Sequence, residues 1–179
     1  IYLTKPLGIG FLMAAFNHNS INLTARVYEK IINNMLISNK SAFAIAKKYN
    51  AKPLTDISGF GLGSHLIDIC KSSNLSASLK LNREIVIDGC LEDLKLYKSS
   101  AYEDNRNNAI SEIEILDDNK EIHNISKILF DPQTSGPLLI SLNQDLKPKF
   151  EIEFEKIYEF KPILIGYFQK KEKFSISVS

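Results

Sequence analysis

Three short segments punctuate this chain, and each forces a change of direction next to an apolar stretch. They are Leu3-Thr4-Lys5-Pro6-Leu7-Gly8-Ile9-Gly10, Leu54-Thr55-Asp56-Ile57-Ser58-Gly59-Phe60-Gly61-Leu62 and Phe130-Asp131-Pro132-Gln133-Thr134-Ser135-Gly136-Pro137-Leu138-Leu139. Proline fixes one backbone angle and glycine frees its neighbours, so each segment specifies a turn. The first reads as a strand-to-helix connection. The second reads as the end of a strand, a glycine turn and the start of a helix. The third is a rigid loop ahead of a buried strand.

Hydrophobic spacing fills in the elements between these turns. Residues 9–16 read as a helix. A second helix carries Leu23, Val27, Ile31, Ile32 and Met35 near helical spacing, capped by Ser20 or Asn22. Ser41 to Tyr49 reads as a third, with Phe43, Ile45 and Ala46 facing inward. Pro53 to Asp56 is a short strand. The helix opened by Gly59 to Gly63 runs through Leu66, Ile67, Ile69 and Cys70. Ser76 to Leu81 alternates with period two, as a half-buried strand does. Leu91 to Tyr97 reads as a helix, and the polar stretch Ala101 to Asn108 as a loop. Glu112 to Leu116 reads as a strand, Ile125 to Phe130 as a helix or short approach segment, and Leu138 to Leu142 as a strand. A helix over Leu146 to Tyr158 and strands over Ile163 to Phe168 and Phe174 to Val178 follow, with Lys170, Lys171 and Lys173 in a solvated turn. Helices and strands interleave without strict alternation. The expected class is α+β, a mixed sheet covered by helices on one face.

The length of 179 residues suits one domain, since about 150 residues per domain is usual. No apolar run approaches the roughly 18 residues of a membrane helix. With 22 basic and 21 acidic side chains, the net charge is +1. That balance argues against a nucleic-acid partner, which calls for a clustered basic surplus. Two cysteines, Cys70 and Cys90, neither form a disulfide scaffold nor sit at C-x-x-C spacing, and a reducing, cytoplasmic setting is expected. Cys70 reads as a core thiol. Cys90 reads as a loop thiol, reactive only if its neighbours lower its pKa. The histidines His18, His65 and His123 share no metal-ligand spacing. The chain opens at Ile1 as though on the end of a strand, so further residues are expected upstream.

The chemistry sits in the turn segments. Asp56, at the carboxyl end of a strand and before a glycine turn, is placed to serve an ion. Magnesium takes hard oxygen ligands and usually only one or two carboxylates. Thr55, Ser58 and Gly59 could approach a phosphate, helped by the amides of the new helix. Equally, Asp56 or Ser58 could simply cap that helix. Lys5 is either a phosphate contact or a solvated lysine. Asp131, Gln133, Thr134, Ser135 and Gly136 could hold an anion, or satisfy their own backbone through side-chain turns.

In order and spacing, the three segments resemble motifs of the carboxyl-terminal half of selenophosphate synthetase (selenide, water dikinase). There they take the forms Leu-Thr-Lys-Pro-Leu-Gly-Thr-Gly, Thr-Asp-Val-Thr-Gly-Phe-Gly-Leu-Leu-Gly-His and Asp-Pro-Gln-Thr-Ser-Gly-Gly-Leu-Leu. Here they stand as Leu3 to Gly10, Thr55 to His65 and Asp131 to Leu139. Asn105-Arg106-Asn107 falls where that family often carries an Arg-Asn pair. The resemblance implies membership of the wider group that includes aminoimidazole ribonucleotide synthetase, hydrogenase maturation factors and thiamine-phosphate kinase.

It implies a reaction of ATP, selenide and water to selenophosphate, AMP and phosphate. It implies Mg2+, with Asp56 as a metal ligand, and an amino-terminal domain supplying the reactive Cys, the catalytic Lys and the ATP-binding glycine-rich segment. It implies a homodimer when full length. On this view the whole chain is one carboxyl-terminal domain without catalytic residues of its own, inactive alone. The alternatives are a related phosphoryl-transfer enzyme of the same group and a non-catalytic binding module. The chain departs from the motifs at Ile9, at Gly63-Ser64 and at Pro137. A proline cannot donate the backbone hydrogen bond that a glycine there could.

Overall fold

The computed structural model describes residues 1–19, 24–93, 96–117 and 119–179. The strands are β1 (Tyr2–Leu3), β2 (Leu54–Asp56), β3 (Leu75–Leu79), β4 (Ile113–Ile115), β5 (Leu138–Ile140), β6 (Ile163–Leu164), β7 (Gly166–Lys170) and β8 (Ile176–Val178). The α-helices are α1 (Ile9–Asn17), α2 (Ala25–Leu36), α3 (Lys40–Lys48), α4 (Gly61–Ser73), α5 (Cys90–Asp93), α6 (Tyr102–Ala109), α7 (Lys120–Ile125) and α8 (Lys147–Tyr158). The architecture is α+β. No helix among the described residues is long and apolar enough to cross a membrane.

The strands divide between two sheets. One is antiparallel throughout, in the order β2-β5-β1-β6. The other runs β4-β8-β3-β7, with β4, β8 and β3 parallel and β7 antiparallel to β3. Only the second is mixed. The stretch expected as one strand over Ile163 to Phe168 is split at Ile165 because the chain changes sheets there, leaving β6 in the first and β7 in the second.

Side-chain alternation explains how each sheet is covered. In the first sheet, Leu3 and Leu139 face the larger core, with Phe11, Leu62, Leu66 and Ile128. Their neighbours Tyr2, Leu138 and Ile140 face a second core, with Ala42 and Ile45 of α3 and Phe150 and Phe154 of α8. This sheet is therefore buried on both faces, not on one. In the second sheet, Ala77, Leu79, Ile176 and Val178 belong to the larger core, while Ser76 and Ser177 alternate with them.

Several local readings need correction. The expected caps Ser20 and Asn22, with Leu23, lie outside the described residues. The cap seen on α2 is Thr24, whose hydroxyl accepts the Val27 amide at 3.3 Å. Phe43 points outward at 48 % exposure, while Ala42, Ile45 and Ala46 face in. Of the helix expected over Leu91 to Tyr97, residues 90–93 are helical and 94–95 lie outside the described residues. The approach segment before Asp131 begins earlier, as α7, and ends in a 3₁₀ turn over Ser126–Phe130.

The largest correction is α6, where a polar loop was expected. Its sequence is too polar to show an apolar stripe. It is held by Tyr102 and Ala109, both buried, and by Asn105, which is 6 % exposed. Tyr102 packs edge-on against Phe11 and Phe130. The Asn105 amide nitrogen donates to Gly59 O at 2.8 Å and Phe130 O at 3.1 Å. Buried carbonyls left without donors cost about 1–3 kcal/mol. Asn105→Ala should therefore destabilise the chain by about that amount, read as a lowered midpoint in urea unfolding.

Candidate functional site

The three turn segments meet at one end of the first sheet. Strand β5 lies between β1 and β2, with Leu139 opposite both Leu3 and Thr55 and Leu138 opposite Asp56. Because β5 runs antiparallel to its neighbours, its leading loop emerges where β1 and β2 end. Residues far apart in sequence thus become one surface.

Several polar groups of these segments bond across from one stretch to another. The Thr4 amide donates to Leu138 O, and the Leu138 amide donates back to Thr4 Oγ1 at 2.9 Å. The Ile57 amide donates to Pro137 O at 2.9 Å and the Gln133 amide to Ser58 O at 3.1 Å. Gln133 Oε1 accepts from the Gly8 amide at 3.3 Å. Gly136 carries no side chain because a Cβ there would collide with Ile57 O.

Lys5 is buried, contrary to the solvated reading. Its ammonium donates to Asn34 O and Ile37 O, both at 2.9 Å, at the carboxyl end of α2. Those carbonyls lack helical partners, and a cation there is also stabilised by the helix dipole. Burial pushes the Lys5 pKa down to about 8. Ser135 adds to the same corner by donating to Met35 O at 2.7 Å.

Asp131 does the converse at the amino end of α1. It is fully buried, and its Oδ2 accepts from the Gly10 amide at 3.1 Å and from Gln133 Nε2 at 2.7 Å. Oδ1 is buried without a hydrogen bond of good geometry, although the Phe11 amide still acts on the carboxylate. Gly10 allows this approach, since a Cβ would strike Asp131 Oδ1. Burial pushes the Asp131 pKa up to about 7, against the pull of Gln133 and the two amides.

Asp56 differs from both. It is exposed at the end of β2, and among the described residues no side chain or amide pairs with its carboxylate. Thr55 Oγ1 donates to Asp56 O at 3.3 Å, next to it. The turn that follows is held from several sides, while Gly59 is exposed and a Cβ there would meet nothing within 4 Å. Thr134 is exposed on the neighbouring loop. No three His, Cys, Asp or Glu side chains converge among the described residues. A lone free carboxylate on a rigid strand end fits one ligand of a magnesium ion whose remaining ligands are water, phosphate or other protein groups.

The departures find physical reasons. Ile9 is buried in the core at the first turn of α1. At Gly63, a Cβ would sit 3.2 Å from Leu129 O, so the glycine lets α4 lie close to the approach segment. Pro137 uses its carbonyl in the β2 ladder and lies just before β5 begins, where a missing amide is tolerated. Both thiols are buried, Cys70 as expected in the core and Cys90 at the start of α5, not in a loop. Two residues of this site, Asn105 and His65, stand in the motif segments of the sequence without a role there, and the structure gives each one. The signal for His65 was its place inside the second motif.

No family model matches the chain. A solved thiamine-monophosphate kinase from Stenotrophomonas maltophilia K279a superposes with a TM-score of 0.68 at 13% identity, over 99% of this chain and 49% of that one. The hydrogenase maturation protein HypE, solved in complex with ATP, superposes with a TM-score of 0.52 at 12% identity, over 94% of this chain and 42% of that one. The fold is thus the one shared by these kinases and maturation proteins, the aminoimidazole ribonucleotide synthetase-like fold. In sequence, the chain is 30% identical over 153 residues to a selenide, water dikinase of Clostridioides difficile (strain 630), covering 82% of this chain and 41% of that protein. The chain is a homologue of the selenide, water dikinases over most of its own length, and it spans about two fifths of the length of the relative it matches.

The buried acid yields a test. Between the ordinary carboxylate range near 4 and about 7, folded Asp131 holds a proton that the unfolded chain releases. Stability therefore falls as pH rises through that window, by at most about 1.4 kcal/mol per pH unit, and levels off above it. Urea unfolding at pH 5 and pH 8 should show Asp131→Asn gaining on the parent chain at the higher pH. An equal difference at both would remove Asp131 as the source.

Proposed function

We propose that this chain is the carboxyl-terminal domain of a selenophosphate synthetase and contributes Asp56 as one ligand of the magnesium that accompanies ATP. The supporting observation is the contrast between the two acids of the motif segments. Asp131 is buried and bonded, while Asp56 is exposed, unpartnered among the described residues, and carried on an anchored turn. The homology supports the substrate set, ATP, selenide and water. The HypE structure in complex with ATP supports nucleotide use in this fold.

Magnesium, when bound, supplies charge neutralisation of the triphosphate during phosphoryl transfer. Asp56 would hold it from this side, with Thr55 and Gly59 beside it and Thr134 on the neighbouring loop. The reaction balances as ATP, selenide and water giving selenophosphate, AMP and phosphate. The amino-terminal domain would supply the catalytic groups, so the chain alone turns over no ATP. The full-length protein would be a cytoplasmic homodimer.

Phosphorus NMR of the full-length gene product with ATP, Mg2+ and anaerobic selenide tests this reading. A selenophosphate resonance with AMP and phosphate is expected. Asp56→Asn should leave the melting temperature unchanged and lower turnover by more than about a hundredfold, the scale of losing a metal contact worth several kcal/mol. Full activity in that variant would remove the ligand assignment.

A further inference from the structure

Resting on the reading of Asp56 as a metal ligand, we propose that His65 is a positioning residue for that carboxylate, acting through Ser58. The Ser58 amide donates to His65 Nε2 at 3.3 Å, and Ser58 Oγ lies 3.2 Å from the same nitrogen. A ring nitrogen that accepts an amide proton carries no proton of its own, so the proton of the neutral ring sits on Nδ1. The ring is half-buried and comes from α4, the helix that the turn itself opens.

The other bonds on this turn leave His65 a distinct task. Ile57 is fixed through its amide by Pro137 O, and Ser58 O takes the amides of Gln133 and Gly61. Gly59 O takes Asn105. The Ser58 amide is the donor of this turn that a side chain receives, and it lies two residues beyond Asp56. With it engaged, the Ser58 peptide is held on its donor side as well as at its carbonyl, which narrows the heading of the strand end that carries the Asp56 carboxylate. With it released, the peptide after Asp56 loses its side-chain anchor while the backbone bonds at Ile57 and Ser58 O remain, and the carboxylate is positioned less narrowly. Ser58 Oγ is drawn to the ring as well. Ser58 therefore serves the turn from within, and Asp56 is its outward product. Groups that orient a metal ligand typically govern metal affinity by 10–100-fold.

The test uses the full-length gene product and Mn2+ binding followed by electron paramagnetic resonance, with melting temperatures measured in parallel. The substitutions are His65→Gln and His65→Asn. The Gln amide oxygen reaches about as far as Nε2, whereas the shorter Asn reaches only the Nδ1 position. His65→Gln should keep Mn2+ affinity within about threefold, and His65→Asn should weaken it about tenfold or more, with similar melting temperatures. In an Asp56→Asn background, His65→Asn should add no further loss, since two residues acting through one contact are not additive. Equal affinities for the Gln and Asn variants would overturn the proposal, as would a further loss in the double variant. If Asp56→Asn alone leaves Mn2+ affinity unchanged, the metal-ligand reading fails and takes this proposal with it.

Discussion

Strand β5 is bonded on both sides by strands that end in chemically loaded turns, and the rest of the site depends on that insertion. Its neighbours β1 and β2 are not paired with each other, and β5 is the strand that both pair with. Buried backbone groups must find partners, and here they find them across the three segments: Thr4 with Leu138, Ile57 with Pro137, Ser58 with Gln133. The result is a rigid corner built from three short stretches, none of which has enough internal bonds to hold its own shape.

Charge is distributed within that corner by one rule. The amino end of α1 receives the Asp131 carboxylate, and the carboxyl end of α2 receives the Lys5 ammonium. Each charge faces the helix end of opposite partial charge. Burying either in apolar surroundings would be costly, and the shifted pKa values of both groups express that cost. The helix-end groups repay part of it. They also consume both charges, so neither is available to a ligand. Asp56 remains as the acid of these segments that is free to act outside the fold.

The sequence displayed some of this directly. Proline and glycine located the turns, and helical spacing located α2, α3 and α8. Their residues have strong local preferences, so neighbours in sequence sufficed. The α6 helix was hidden because Tyr102-Glu103-Asp104-Asn105-Arg106-Asn107 offers almost no apolar stripe. Its order comes from Tyr102 against two rings and from one amide that finds two distant carbonyls. The division into two sheets was hidden too, since the switch at Ile165 is decided by pairing with β1 on one side and β3 on the other.

Three residue types carried their meaning only in three dimensions. A lysine beside a proline turn looks like a phosphate contact until its ammonium is seen on α2. An acid in a polar loop reads as an anion site or a self-bonded turn until α1 is seen to start on it. A histidine without ligand spacing looks idle until Ser58 turns toward it. The sequence by itself determined where the chain turns, which stretches are apolar, and the motif set shared with the selenide, water dikinases, because these follow from local conformational preference and residue identity. The tertiary structure alone decided which charged side chains are spent on helix ends and which one is left facing outward. That outcome depends on contacts between residues more than a hundred positions apart, such as Gly10 with Asp131, and no local preference encodes them.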